Sequence, residues 1–209
     1  MNKAVFIFIL MVFLSSTGFA QSNLSTLKLL NGDELNVMDY RLDTSKSVFY
    51  YKLQKPSGKI KYKSVLVDEV FAYTDSTGNE NVFYRPSDEN DPTVKQMRHV
   101  VLGYGTADDK HQALWAMAGG FAVGTGAMFT SKNPFFSPLI PVAYVGGVAL
   151  VKPSRDRIVY QYPQYADNDK FIRAYQQSAR NKNMKYAIIG SIEGVVVGAI
   201  VGILTGYYN

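Results

Sequence analysis

Few residues of this chain have the chemistry of a catalytic or metal-binding group. The 209 residues include no cysteine, which excludes disulfides, thiolate metal sites, cysteine nucleophiles and a lipoprotein anchor. The two histidines, His99 and His111, are 12 positions apart. That spacing is about 120° off register on a helix, and no ligand residue is nearby. Serine, histidine and aspartate residues occur, but none has the spacing of a nucleophile elbow or a metal motif. We therefore predict a protein that is not an enzyme, with no catalytic residue, no metal and no cofactor.

Glu193 is the residue whose sequence setting is most unusual. It is the only charged residue in the final run of 24 residues, 186–209. A carboxylate inside a membrane helix is costly and usually faces a partner or a cavity, which suggests proton or ion handling or a polar clamp. Glu193 also lies only about two turns into the run, so its side chain could instead extend toward lipid headgroups. The sequence leaves both interpretations open.

Glycine recurs at every fourth position of the same run. The repeat consists of Gly190, Gly194, Gly198, Gly202 and Gly206. Successive members differ by about 40° around a helix, so they form one slowly winding stripe without side chains. Helices in lipid associate largely through close backbone packing, which such stripes permit. In a soluble helix each glycine would cost about 1 kcal/mol. The stripe therefore predicts a close helix–helix interface.

Two earlier runs also lack charge. The first, 112–131, has 20 residues and carries Trp115 near one end, as interfacial tryptophans do. Its small residues on one face, which we predict to pack on the glycine stripe, are Ala116, Gly120 and Gly124. A second copy of the final run is the alternative partner. The second uncharged run, 133–151, is broken by three prolines and is predicted not to span a membrane. A buried helix hairpin in a soluble domain is the alternative to membrane spans, but uncharged runs of about 20 residues favour a bilayer.

The beginning of the chain is typical of a secretory signal. Lys3 precedes an apolar run of 11 residues from Ala4 to Leu14, and small residues follow at Gly18 and Ala20. The apolar run is too short to span a bilayer. We predict that residues 1–20 are a cleaved signal peptide and that the following domain lies outside the cytoplasm.

Residues 21–91 read as short strands separated by turns. Asn31 and Gly32 predict a type I′ hairpin, since both residues tolerate positive φ. The stretches 47–53 and 59–63 are β-branched, aromatic or alternating. We predict a small antiparallel β barrel or sandwich of about five or six strands.

Lysines of one predicted strand form the main charged cluster of this domain. Lys59, Lys61 and Lys63 alternate with Ile60 and Tyr62, so the two sets point to opposite faces. The lysines could bind an anionic partner such as a lipid headgroup, a glycan or an acidic protein. They could also be an exposed strand face, or protect an edge strand from aggregation. The sequence does not decide between these roles.

Residues 92–111 are predicted to be a helical linker. A helix is expected from Thr93 to Leu102, ending at Gly103. The sequence from Thr106 to Asp109 resembles a capping box and predicts the start of a second helix.

Residues 112–209 are predicted to form a membrane helical unit with a basic segment inside it. Residues 152–185 hold eight of the 22 basic residues against three aspartates. The net charge of +5 is therefore mostly local, which argues against nucleic-acid binding. An amphipathic helix from Asn168 to Lys185 should continue into the third run, lying either on an anionic leaflet or on the rest of the protein. We predict two full spans, 112–131 and 186–208, which would put the basic segment in the cytoplasm as the positive-inside rule prefers.

The second half of the chain resembles a family of uncharacterised envelope proteins of the Bacteroidota. The resemblance covers roughly residues 95–205 and rests on features distributed along it. They are Gln96-Met97-Arg98 followed by Gly103, Asp108-Asp109 before a glycine-rich segment, the proline-bearing run from Pro134 to Val151, and Ala179-Arg180-Asn181-Lys182. The resemblance implies an inner-membrane location and no known activity.

Together these patterns predict an α+β membrane protein in the inner membrane of a Gram-negative bacterium, with its β domain in the periplasm. Its expected partners are the lipid bilayer and another envelope protein or a second copy of itself. The expected role is to bind or scaffold another envelope component. The alternative is a small oligomeric channel or transport accessory subunit, with Glu193 facing a lumen. Only Ser191 and Thr205 accompany Glu193 as polar side chains in the middle of that run, which favours the scaffold.

Overall fold

The computed structural model of the protein describes residues 25–54, 57–130, 137 and 139–207. The predicted signal peptide lies outside the described residues. Within them the fold is α+β, as predicted, with antiparallel sheets toward the N-terminus and a long apolar helix toward the C-terminus.

Seven strands form two antiparallel sheets. The first sheet has the order β2-β1-β6-β7 and contains β1 (Ser25–Leu29), β2 (Glu34–Val37), β6 (Val70–Thr74) and β7 (Glu80–Val82). The second sheet has the order β3-β4-β5 and contains β3 (Asp39–Asp43), β4 (Val48–Gln54) and β5 (Ile60–Leu66). The stretch Val67–Glu69 is a 3-10 turn through which the chain passes from the second sheet to the first, at the bend expected from the sequence.

The two sheets pack face to face through buried side chains from both. Leu27, Val37 and Val70 come from the first sheet, and Phe49 and Tyr51 come from the second. Phe49 and Tyr51 alternate with exposed or half-exposed neighbours on β4, as a strand with one buried face requires. The domain is therefore a small sandwich, and of the two predicted architectures the closed barrel is wrong.

The hairpin at Asn31 and Gly32 forms where it was expected, but its turn differs from the prediction. Gly32 has φ +91°, whereas Ser47 is the one non-glycine residue with positive φ among the described residues. Asn31 is therefore not left-handed and the turn is not type I′. Its side chain instead accepts a hydrogen bond from the Asp33 N–H at 3.0 Å. This wider loop presents Gly32 to the backbone of Gly105, where a side chain would collide.

Five helices follow the sandwich in the described residues. They are α1 (Val94–Lys110), α2 (Leu114–Thr130), α3 (Leu139–Val148), α4 (Arg155–Gln161) and α5 (Asp169–Leu204). A second 3-10 turn, Pro163–Tyr165, lies between α4 and α5.

The linker is one continuous helix, α1, so the predicted break at Gly103 and the predicted capping box at Thr106 are wrong. The glycine of that supposed break faces α5, where a Cβ would lie 2.5 Å from the Phe171 carbonyl oxygen. Packing of helix on helix therefore explains Gly103 better than helix termination. The capping box of α1 is instead at its start, where the Gln96 N–H bonds Thr93 Oγ1 at 3.3 Å and the Thr93 N–H bonds Gln96 Oε1 at 3.0 Å.

Helix α5 is a single helix of 36 residues, which confirms that the predicted basic helix continues into the third apolar run. Asn168 caps its start by accepting a hydrogen bond from the Phe171 N–H at 3.0 Å. The face predicted from residue spacing, which carries Phe171, Tyr175 and Ala179, is buried against Ala107 of α1. Of the two predicted positions for this segment, the structure has it packed on the protein.

An ion pair attaches α1 to the sandwich. Arg98 Nη1 donates to Glu80 Oε1 of β7 at 2.8 Å, and the guanidinium lies 5.3 Å from the centre of the Phe71 ring. The hydrogen bond from Arg98 lowers the pKa of Glu80 below its usual value of 4.5. The charged carboxylate is therefore favoured in the folded protein.

We expect the attachment of α1 to weaken in acid. The contribution of Glu80 is complete above the unfolded pKa of 4.5 and is lost as the pH falls through the lower folded pKa. Glu80→Gln should flatten this part of the pH dependence of unfolding, whereas Glu89→Gln, at an exposed site, should leave it unchanged. Thermal unfolding across the acid range measures both. An identical acid profile for Glu80→Gln and the native chain would contradict this role.

Candidate functional site: the apolar helical unit

Helices α2 and α5 approach so closely that only glycine fits at several contacts. A methyl group at Gly190 would overlap the Met117 carbonyl oxygen, and one at Gly194 would overlap that of Phe121. From the other side, a methyl group at Gly120 would lie 2.5 Å from the Ala187 carbonyl oxygen. The obstructing atoms belong to the backbone, which cannot swing aside as a side-chain end can.

The structure brings the two predicted small-residue stripes together, with one exception. Ala116 is fully buried, and Gly124 and Gly198 are buried at the interface between α2 and α5. Gly202 is also buried near the end of α5. Gly206, however, is exposed beyond the helix at φ +69°, so its predicted place in the packing stripe is wrong.

Gly206 serves the end of α5 instead. Its N–H donates to the Ile203 carbonyl oxygen at 3.2 Å, and the next N–H, of Tyr207, donates to the Gly202 carbonyl oxygen at 2.9 Å. These bonds satisfy carbonyl groups that the helix end would leave unpaired, and the left-handed conformation they need favours glycine. Spacing in the sequence could not separate this role from packing.

Helices α2 and α5 run in the same direction. Gly190 lies beside Met117, and Gly198, eight residues later, lies beside Thr125, also eight residues later. Helix α3 runs the opposite way, because Val148 at its end packs on Ala187 while Pro141 at its start lies beside Val195 and its neighbours. The apolar unit therefore consists of two parallel helices and one shorter returning helix.

This arrangement gathers the polar elements at one end of the unit. The first half of α5 runs along α1, where Ser178 Oγ donates to the Tyr104 carbonyl oxygen at 3.1 Å. Ile158 of α4 packs in the same cluster as Ala107 of α1. Since α1 is itself attached to the sandwich, the basic segment 152–185 lies on the same side as the β domain. The predicted placement of this segment on the opposite side is wrong.

Polar contacts line the level at which α1 gives way to α2. The His111 imidazole Nε2 lies 2.9 Å from Asn183 Oδ1, and Asn183 is 2% exposed. The predicted non-ligand role of the histidines fits these contacts, since His99 lies against the Tyr165 ring, 6.2 Å between ring centres. Sequence reasoning missed Asn183. The signal was its position four residues after Ala179 and four before Ala187, on the buried face of α5.

The surface of the unit below this level is apolar. Large side chains exposed on its three helices include Phe121, Ile140, Val142, Ile192, Val196 and Ile200. In the described residues, α5 alone is long and apolar enough to cross a membrane, and α1 with α2 would form a second span bent by 59°. Helix α3 has 10 residues, too few to span a bilayer.

The other two predicted sites lie apart from this interface. Glu193 is exposed on α5, away from α2, and has no hydrogen bond or ion pair with the described residues. Lys59, Lys61 and Lys63 are exposed at and just before β5, an edge strand of the sandwich. Lys63 pairs in register with buried Tyr51, so these lysines share the inner face of the sheet beyond the edge of the core.

Comparison of the chain with protein-family models, curated proteins and solved structures finds no match.

Proposed function

We propose that this protein is a non-enzymatic envelope protein anchored in the inner membrane, whose periplasmic β sandwich binds or scaffolds another envelope component. The observation that carries the proposal is the apolar unit. Its helices pack through glycines while bulky apolar side chains face outward. A soluble protein gains stability by burying such side chains, whereas lipid favours this inverted distribution.

The attachment of the sandwich supports a scaffolding role. Helix α1 contacts the sandwich through Arg98 and through the hairpin tip at Gly32, and it also packs along α5. The domain is thus held against the anchor rather than joined by a long linker. Such an attachment would present the sandwich to a partner at a fixed height above the membrane.

We expect the protein to resist extraction from membranes by alkaline carbonate and to require detergent. The physical reason is that exposed apolar helices lose favourable lipid contacts in water. Immunoblotting of membrane and soluble fractions measures this, with a peripheral membrane protein as the control. Release by carbonate would instead favour the buried hairpin of a soluble domain. Crosslinking followed by mass spectrometry of the detergent extract would then identify what the sandwich binds.

A further inference from the structure

We propose that the protein binds anionic phospholipid headgroups through a collar of lysines at the upper edge of its apolar unit. This inference rests on the proposed membrane anchoring and names the lipid that the anchor selects. The lysine collar consists of Lys110, Lys152, Lys182 and Lys185. These residues come from three segments that are distant in sequence, and tertiary contacts bring them to one level.

The level of the collar is fixed by contacts on both sides of it. Below it, Ala116, Val148 and Ala187 form one buried layer of the apolar unit. Lys185 lies two residues above Ala187, within one helical turn of that layer. Lys110 ends α1 next to His111, which contacts Asn183 of α5.

Lys182 and Lys152 complete the collar on the other sides. Lys182 Nζ donates a hydrogen bond to the Asp108 carbonyl oxygen. Lys152 follows Val148 of the buried layer and precedes Pro153, whose carbonyl oxygen accepts a hydrogen bond from Gln176 Nε2 at 2.8 Å. Lys152 therefore lies between the apolar layer and the upper part of α5.

The surroundings of the collar match the interface of a bilayer. Trp115 is 48% exposed immediately below it, and tryptophan is enriched at this depth of a membrane. Leu150 is 83% exposed beside Lys152, a costly position in water but a favourable one in the outer part of the hydrocarbon. Each lysine can thus extend its ammonium group to headgroup phosphates while its stem contacts the acyl chains.

The charge balance at this level favours an anion. Asp108 and Asp109 are the acidic residues in the adjoining turn of α1, and four lysines outnumber them. A shallow cavity of about 420 Å³ lies there, lined by Asp108, Ser178, Asn181, Lys182, Lys185 and Tyr186. Hydroxyl, amide and ammonium groups are the donors that a phosphate diester requires.

Trp115 makes the proposal directly testable, because it is the single tryptophan of the chain. The mature protein is reconstituted into vesicles of equal parts phosphatidylcholine and phosphatidylglycerol, with brominated acyl chains placed on one lipid or the other. Bromine quenches tryptophan fluorescence at contact, so the ratio of the two quenching curves reports which lipid surrounds the collar. One lysine near an anionic surface is worth about a fivefold change in affinity. We therefore expect phosphatidylglycerol to be preferred by about fivefold or more.

The matched variants test whether the collar causes that preference. Lys110→Gln, Lys152→Gln and Lys185→Gln together should reduce it to near unity. Lys59→Gln, Lys61→Gln and Lys63→Gln remove the same charge from β5 and should leave it intact. Circular dichroism checks folding, and single Lys185→Gln, at an exposed site, should give a partial loss if the triple variant misfolds.

The remaining outcomes separate this inference from the proposed function. Equal quenching by both brominated lipids in the native protein, or an unchanged preference in the collar variant, would overturn the collar while the anchor stands. Absence of quenching by either lipid would mean that the helical unit is not in the bilayer, which would overturn the proposed anchoring and the collar with it.

Discussion

Gly194→Leu is expected to force α2 and α5 apart and to lower the thermal stability of the detergent-solubilised protein. The first carbon of the new side chain would overlap the carbonyl oxygen of Phe121, and backbone cannot yield as a flexible side chain does. Overpacking a well-packed site costs typically about 1 to 3 kcal/mol, and a backbone obstruction belongs at the upper end. Leucine is favourable in lipid, so membrane insertion should persist while packing fails. Thermal unfolding in detergent, followed by circular dichroism, measures the loss.

Gly126→Leu is the matched control for this change. Gly126 lies on α2 and is exposed, and a Cβ there would meet nothing within 4 Å. The same substitution should therefore leave the melting temperature near that of the native protein. Val197→Leu, on the exposed side of α5, should be equally mild. If Gly194→Leu melts like Gly126→Leu, close packing of the glycines does not stabilise the unit.

The spacing of small residues could predict the interface but not its direction. Glycine at every fourth position identifies a face of α5, and Ala116, Gly120 and Gly124 identify a face of α2 in the same way. Both stripes read alike forward and backward, so they permit parallel or antiparallel packing. The direction depends on the returning helix α3, where Tyr144 OH donates to the Ala116 carbonyl oxygen at 3.0 Å. That contact is not encoded in any local pattern.

Local propensity failed where tertiary contacts outweighed it. Glycine disfavours a helix interior by about 1 kcal/mol, so Gly103 and Gly105 predicted a helix end. In the structure both face a neighbouring backbone, Gly103 that of α5 and Gly105 that of the hairpin at Gly32. Close approach to two partners compensates for the weak propensity, and sequence alone does not reveal those partners.

The sandwich shows the same division between local and tertiary information. Strands with alternating apolar residues, such as Val48–Gln54, were predictable because one face is buried. Strand β3 has the sequence DYRLD, in which charged residues outnumber apolar ones. It forms because Tyr40 stacks on Phe49, with 4.7 Å between ring centres, and also contacts the Tyr73 ring. A strand held by ring contacts across two sheets leaves little trace in its own sequence.

The parallel arrangement of α2 and α5 changes the expected membrane topology. The basic segment lies beside α1 and the sandwich, so the β domain and this segment share one side of the membrane. A periplasmic β domain would then carry the basic segment with it, against the positive-inside rule. That rule applies to short loops, whereas long translocated domains cross largely regardless of charge. A signal peptide that directs the whole folded region outward is consistent with this exception.

Single cysteines should report this topology as an all-or-none result, because the native chain has no cysteine. Tyr62→Cys on the sandwich and Lys152→Cys in the basic segment are both at exposed positions on one side of the apolar unit. Thr205→Cys lies past the other end of α5, whose apolar part, 186–204, is about 28 Å long and close to the hydrocarbon thickness of a bilayer. A membrane-impermeant maleimide added to cells with an opened outer membrane should label the first two variants, and should label Thr205→Cys only after detergent. Labelling of Tyr62→Cys without Lys152→Cys would restore the antiparallel spans of the positive-inside arrangement, because parallel helices cannot separate those two positions by a membrane.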